Sequence, residues 1–233
     1  MGKLNLKKKH THPSPILGDT ALPQDTKERL IQVAKCLFAK KGFEGTTVKD
    51  ISDAAKLNVS LISYHFQGKE GLYEACLETI GKARLAATER ILQKPSSLEE
   101  FRIRLQMFVE EIISFHLAEP DVSRIINREC EMEKPIALSV FKDTFLRSFE
   151  KMIAFFQSAQ NQGFLKKELN IEIISSLFFT GIVQLIQKDQ LNELFFGRTI
   201  KDAKYRNCVI QNAVSFCLFG TANPQTTGER KAE

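Results

Sequence analysis

The stretch Thr46 to Tyr73, TTVKDISDAAKLNVSLISYHFQGKEGLY, leaves this chain little freedom, because it sets two helix starts and a turn within 28 residues. Thr47 followed by Asp50 is a capping box: the hydroxyl accepts from a first-turn amide and the carboxylate reaches back to the cap. The spacing predicts a short helix over 48–55, with Val48, Ile51, Ala54 and Ala55 on one buried face. Lys56-Leu57-Asn58 breaks that pattern, and Asn58 caps a second helix predicted over 59–66, in which Leu61, Ile62 and Phe66 pack inward. Val59, Ser60, Ser63, Tyr64 and His65 remain outward, a small, polar and aromatic surface that suits a major groove about 12 Å wide. Two short helices joined this way read as a helix-turn-helix. Eight residues span roughly 12 Å, so one such helix reads only a few base pairs and a pair of subunits is needed. Gly68-Lys69 opens the next helix, where free amides and an ammonium suit a phosphate.

The chain in front of this stretch supplies a support. Asp25 with Glu28 predicts the start of a first helix, Leu30, Val33, Ala34, Leu37 and Phe38 form its apolar stripe, and Lys40-Lys41-Gly42 ends it. The order KKGF, TTVKDISDAA, NVSLISYHF, GKEGLY resembles the DNA-binding domain of TetR-family transcriptional regulators over about residues 26–80. Phe38, Gly42-Phe43, Thr47, Ile51, Ala54-Ala55, Tyr64-His65-Phe66 and Lys69-Glu70 carry the resemblance. Two positions depart from it: Lys56 stands where glycine is usual, and Ser63 stands where many members have a phosphate-binding tyrosine.

Charge follows the same division. The net charge is +5, and the first ninety residues hold 15 Lys and Arg against 10 Asp and Glu, so the remainder is neutral. A basic module joined to a neutral one suits nucleic acid. The five cysteines, Cys36, Cys76, Cys130, Cys208 and Cys217, form no C-x-x-C and read as reduced thiols mostly in helix cores, which points to a cytoplasmic protein without a disulfide or zinc framework. No cofactor or metal is expected: His10 and His12 are too sparse for a metal set. No nucleophile elbow, H-E-x-x-H or Walker loop argues for an enzyme. The basic run Lys7-Lys8-Lys9 leads into THPSP rather than an apolar segment, and 171–186 is too short and too polar for a membrane span.

The expected architecture is all-α. Residues 1–24 read as a basic arm, either tracking DNA or simply solvated; 25–80 as a three-helix helix-turn-helix domain; 81–219 as a helical effector-binding and dimerisation domain; and 220–233 as a polar tail. In the second half a helix from Lys69 to about Gln93 carries Leu72, Cys76, Ile80 and Leu85 inward, Ser97 caps a helix to about Ala118, and a short helix carries RIINRE. Pro135 fits the first turn of a long helix ending near Gly163, Asn170 caps an apolar helix, and Thr199–Leu218 forms the last.

Function follows from these assignments together with the resemblance. Lys69, Thr47 and Tyr64 are expected on phosphates, with Val59, Ser60, Ser63 and His65 nearer base edges; His65 suits a phosphate equally. The resemblance implies a ligand cavity, for which Phe108, Phe115, Phe145, Phe149 and Phe178 with His116 and Arg128 are candidates, among 18 phenylalanines that suit a filled core as well. It also implies a dimer built on the last two long helices, through Ile174, Leu177, Phe178, Gly181, Ile182 and Leu185 on one and Val209, Ala213 and Phe216 on the other. The expected protein is a homodimeric repressor on a near-palindromic operator in double-stranded DNA, released by a small-molecule effector. The alternative is a constitutive DNA-binding or architectural protein without effector.

Overall fold

Helix α1, Pro23–Lys41, buries Leu30, Ala34 and Phe38 on the predicted stripe and closes through Gly42, whose N–H donates to the Phe38 carbonyl at 2.9 Å with φ +77°. It begins two residues before Asp25, with a proline at its first position, where the missing N–H costs no hydrogen bond. The computed structural model describes residues 23–132 and 136–221. The basic run and histidines of the amino-terminal arm, Pro135, and the tail beyond Thr221 lie outside the described residues.

Among the described residues every regular element is helical. Helices α2 (Val48–Ala55) and α3 (Ser60–Phe66) are followed by α4 (Lys69–Ile91), α5 (Leu98–Ala118) and α6 (Pro120–Glu131). A helical run then passes through α7 (Leu138–Val140), a π-helical segment (Phe141–Leu146) and α8 (Arg147–Asn161). The chain ends in α9 (Ile171–Gln187), α10 (Asp189–Phe196) and α11 (Ala203–Thr221). Ser97 and Asn170 cap as their sequence predicts, each accepting an N–H three residues on, at 3.1 and 3.0 Å. No single helix among them is long and apolar enough to cross a membrane; α9 and α10 reach that length only as a pair bent by 56°.

Two apolar cores share α4. One joins α1, α2, α3 and the Leu72–Leu77 turns of α4, and it takes in Val122 and Ile125 of α6 and Ala137. The other joins α5, α8, α9 and α11 with Ile91 and Leu92. Phe101 stacks on Phe155 at 4.8 Å and meets Phe156 edge-on at 5.3 Å, so much of the phenylalanine excess is filled core. Helix α6 packs with the amino-terminal helices although it lies some forty residues beyond the expected boundary at residue 80. Within α4, Ile80 and Leu85 are only half-buried, while Tyr73, Leu77, Gly81, Ala87 and Thr88 complete the inward face. Cys76 and Cys217 are buried and Cys36 is half-buried, whereas Cys130 and Cys208 are exposed rather than in helix cores.

Two elements differ from expectation. The long helix expected from Pro135 to Gly163 is interrupted at 141–146, where the Thr144 hydroxyl donates to the Val140 carbonyl at 2.6 Å and Ser148 to that of Thr144 at 2.9 Å. Side-chain bonds of this kind compete with the regular helical ladder. Helix α10 was not expected at all. Buried Asp189 opens it and holds the next turn through Ile200 N–H at 2.9 Å and the Thr199 hydroxyl at 2.6 Å; Gly197, at φ +62°, closes it.

A buried carboxylate ties α6 into the first of these cores. Glu129 of α6 accepts from the Tyr73 hydroxyl of α4 at 2.6 Å and from the Ala137 N–H at 3.1 Å, with its side chain wholly enclosed. Burial first, and then the adjacent carboxylate, push the Tyr73 phenol above its ordinary value, so it remains a donor through the working pH range. Glu129→Ala strands both donors and is expected to lower the unfolding free energy by about 2–4 kcal/mol; Tyr73→Phe, which removes one bond, by about 1–3 kcal/mol. Urea denaturation monitored by far-UV circular dichroism checks the order of the two.

Candidate nucleic-acid interface and regulatory cavity

The helix-turn-helix is set by local bonds. Thr47 Oγ accepts from Asp50 N–H at 3.0 Å, and Asp50 Oδ2 accepts from the Thr47 N–H at 2.9 Å. The Thr47 N–H first, and then the Thr47 hydroxyl, hold the Asp50 carboxyl below its usual range by donating to it, with Lys41 adding a 3.3 Å ion pair. Ile51 and Ala55 face inward as predicted, whereas Ala54 is exposed and Ser52 takes the buried place, its hydroxyl donating to the Lys49 carbonyl at 3.0 Å. Lys56 adopts the left-handed conformation at φ 54°, ψ 44°, so lysine carries the turn where glycine would be unstrained. Asn58 Oδ1 then accepts from Ser60 N–H at 2.9 Å, and α3 begins at Ser60, one residue later than predicted.

Ile62 and Phe66 fix α3 on the core, and Val59, Ser60, Ser63 and Tyr64 face solvent. Tyr64 is 80% exposed and meets only the edge of His65, at 4.9 Å between ring centres. His65 is half-buried, so it stands at the margin of this face. Thr47 is exposed, but its hydroxyl also donates to Asp50 at 2.8 Å, so a phosphate has to compete with that carboxylate. Lys69 donates to the Phe43 carbonyl at 3.1 Å and lies 4.0 Å from the Phe43 ring centre. This positions the ammonium at the start of α4 while leaving two of its three donors unspent.

The candidates for the cavity separate. Phe115, His116 and Phe145 line an inner recess of about 80 Å³ with Arg84, Ser123, Asn127 and apolar residues of α5, α6 and α9. Phe108 and Phe178 belong to the filled core, and Phe149 stands behind Phe179, 5.8 Å between ring centres. Arg128 is not at the recess: its guanidinium donates to the Phe38 and Ala39 carbonyls at 2.9 and 3.3 Å, satisfying the carboxyl end of α1. An outer recess of about 350 Å³ shares Arg84 and Phe115 with the inner one. The sequence reading passed over Arg84. The available signal was a charged side chain four residues from both Ile80 and Thr88, on the inward side of α4.

All nine candidates for a subunit contact line one apolar groove between α9 and α11, about 760 Å³ in volume. Leu177 and Phe216 project outward, 65% and 85% exposed, while Phe178 and Ile182 form the floor and are buried in their own core.

The family model described as bacterial regulatory proteins, tetR family, matches residues 30–76, the segment that holds most of α1, both short helices and the start of α4. Residues 30–76 carry a TetR-family DNA-binding domain. It is 29% identical over 143 residues to the probable HTH-type transcriptional regulator YttP of Bacillus subtilis, a match covering 61% of this chain and 67% of that protein. To the probable acrEF/envCD operon repressor of Escherichia coli K12 it is 24% identical over 165 residues, covering 68% and 74%. The solved ketosteroid transcriptional regulator KstR2 of Mycobacterium tuberculosis shares the fold, with a TM-score of 0.64 at 17% identity over 84% of this chain and 95% of that one. TetR-family proteins are DNA-binding transcriptional regulators that act as dimers.

Helix α4 and the π segment beside the inner recess meet in a close helix contact. A Cβ built on Gly81 of α4 comes 2.8 Å from Thr144 Cβ in the π segment, whose Phe145 lines the inner recess. Gly81→Ala gains up to about 1 kcal/mol of helix propensity, but overpacking costs about 1–3 kcal/mol, so net destabilisation is expected. Chemical denaturation of the variant checks this; an unchanged or raised midpoint contradicts the tight contact.

Proposed function

We propose that the protein is a dimeric repressor whose two α3 helices read half-sites of a near-palindromic operator and whose affinity falls when a small molecule occupies the recess beside α4. The observation that carries the DNA assignment is the exposed Ser60–Ser63–Tyr64 face held on a rigid buried underside. Val59, Ser60, Ser63 and His65 lie where base edges would be met, and Tyr64 and Lys69 where phosphates would be, with Thr47 at the capped start of α2. Residues 25–80 serve as the DNA-binding unit and 81–219 as the effector and dimerisation unit. That the relatives include a named operon repressor supports the negative sign of control.

The dimer is assigned to the groove between α9 and α11. A Cβ at Gly181 would meet nothing within 4 Å in the single chain, so its smallness serves no packing inside the subunit and suits close approach of a second copy. A two-fold pair places the reading helices on half-sites about one helical turn, or a multiple of it, apart. Release is a population shift: an effector that prefers the dimer with displaced α3 helices lowers affinity by that preference, about 5- to 150-fold for a coupling of 1–3 kcal/mol.

Two experiments test this. Footprinting on fragments selected from genomic DNA is expected to show a protected near-palindrome, with Lys69→Ala reducing the slope of log affinity against log salt by about 0.9 and Tyr64→Ala weakening binding to all DNA about tenfold. Unchanged binding by both variants would place the DNA surface elsewhere. For the dimer, Leu177→Asp with Phe216→Asp is expected to give a monomer in sedimentation equilibrium while α-helical content is retained; a persistent dimer moves the contact off this groove.

A further inference from the structure

Arg84 of α4 lies where the inner and outer recesses meet. Its Nη1 is sealed from solvent and finds no hydrogen-bond partner among the described residues, and its guanidinium lies 4.3 Å from the Phe115 ring centre. Glu111 shares the outer recess with it and acts on it through space without a direct ion pair. Burial pushes the guanidinium down to about 10, which leaves it charged at pH 7. A largely buried charge whose nearby carboxylate, Glu111, opposes the shift without bonding to it directly is costly, so its unpaired Nη1 marks a place where a partner arrives.

The two recesses that meet at Arg84 differ in what they admit. The outer one carries Glu111, which repels an anion, and Glu119, which is paired with Lys35 at 3.3 Å. The inner one has no acidic side chain among its lining residues; Ile112, Ile126, Phe145, Phe179 and Val183 make it apolar, and His116, Ser123, Asn127 and Gln187 supply neutral polar atoms. His116 is pushed below its usual value, by burial first, with Asp189 opposing and Arg124 adding to the shift, so its ring is neutral near pH 7. The recess therefore offers one positive charge, not two. One buried cation balances a monoanion and leaves a phosphate dianion under-neutralised. At about 80 Å³ the space is near half of an engineered 150 Å³ cavity that takes benzene, so the apolar body has to be short or a single ring that displaces Phe115 or Phe145.

We infer that Arg84 is the anchor for an organic monocarboxylate with a short aliphatic or single-ring body, bound with its carboxylate on the guanidinium and its apolar part among Ile112, Ile126, Phe145 and Phe179. This rests on the effector reading above and names the chemical class of that effector. Arg84 lies one helical turn from Gly81 on α4, so a ligand held there pulls directly on the helix that begins at Lys69 beside α3.

The test uses the full-length chain and three acids, isovalerate, hexanoate and benzoate, each against its uncharged primary amide, by thermal shift and titration calorimetry. At least one acid is expected to raise the melting midpoint by about 5 °C or more at a hundredfold excess over its Kd, and its amide to bind at least about tenfold more weakly. Arg84→Met, close in length and uncharged, is expected to remove the preference for acid over amide, and Arg84→Lys to keep part of it. Because the acid and amide are compared first on the unmodified protein, a poorly folding variant does not blunt the test. Equal binding of acid and amide, or an acid preference that survives Arg84→Met, overturns the inference while leaving an apolar effector site standing. Failure of all three acids to stabilise the protein also overturns it. The effector reading itself falls only if no compound releases the operator.

Discussion

Helix α6 holds the molecule together through two adjacent side chains that face different partners. Glu129 reaches the Tyr73 hydroxyl on α4 and the backbone of Ala137, and Arg128 reaches the last carbonyls of α1. The Glu129 bonds are not replaceable by packing, because they satisfy groups that are sealed from water, and Arg128 adds donors to the part-buried carbonyls that close α1. The consequence is that the helices carrying α3 are fastened to α6 and to the run that leads into the π segment. A displacement of α6, or of the turn at Ala137, is therefore felt at α1 and α4 together, which are the two helices against which the short reading pair packs.

This explains which parts of the structure were legible in the sequence. Helices α2 and α3 were placed to within a residue because Thr47, Asp50 and Asn58 act on backbone groups two or three positions away, and such caps are written locally. The same holds for Ser97 and Asn170. Arg128 was read as a ligand group because nothing near it in sequence reveals that α6 crosses the end of α1, some ninety residues back. The π segment depends on Thr144 meeting Gly81 across a helix contact, and α10 depends on Asp189 holding Thr199 and Ile200. Its exposed Leu194, Phe195 and Phe196 gave no inward stripe to read.

The phenylalanines show the limit of composition as a guide. Phe101, Phe155 and Phe156 fill one core, Phe115 and Phe145 border a recess, and Phe216 faces outward, yet all belong to helices with comparable apolar content. On α9 a broad apolar stripe was legible, but it serves two purposes at once: Phe178 and Ile182 face the subunit's own core, while Leu177 and Leu185 stand outside it. A helix buried on one side by its own chain and offered on the other to a second chain is apolar over most of its circumference. Helical phase relative to α11, and not the stripe, decides which residue does which.

Helix α4 belongs to both cores, and this is what makes a recess at its middle a suitable place for control. Its first turns, through Leu72, Tyr73 and Leu77, are locked to the support of α3, and its last residue, Ile91, is locked to α5. Between those anchors lie Gly81, which allows the π segment to approach closely, and Arg84, whose Nη1 has no hydrogen-bond partner among the described residues. A helix fixed at both ends responds to a change in its middle by rotation or translation of the whole rod, since its internal hydrogen bonds resist bending. Two packed cores with one shared rod form the kind of bistable element that a ligand shifts by binding one arrangement better than the other. On the proposed effector reading, an arriving counter-charge supplies the difference in affinity that such a shift requires, because it gains most in the arrangement where Arg84 is most deeply enclosed.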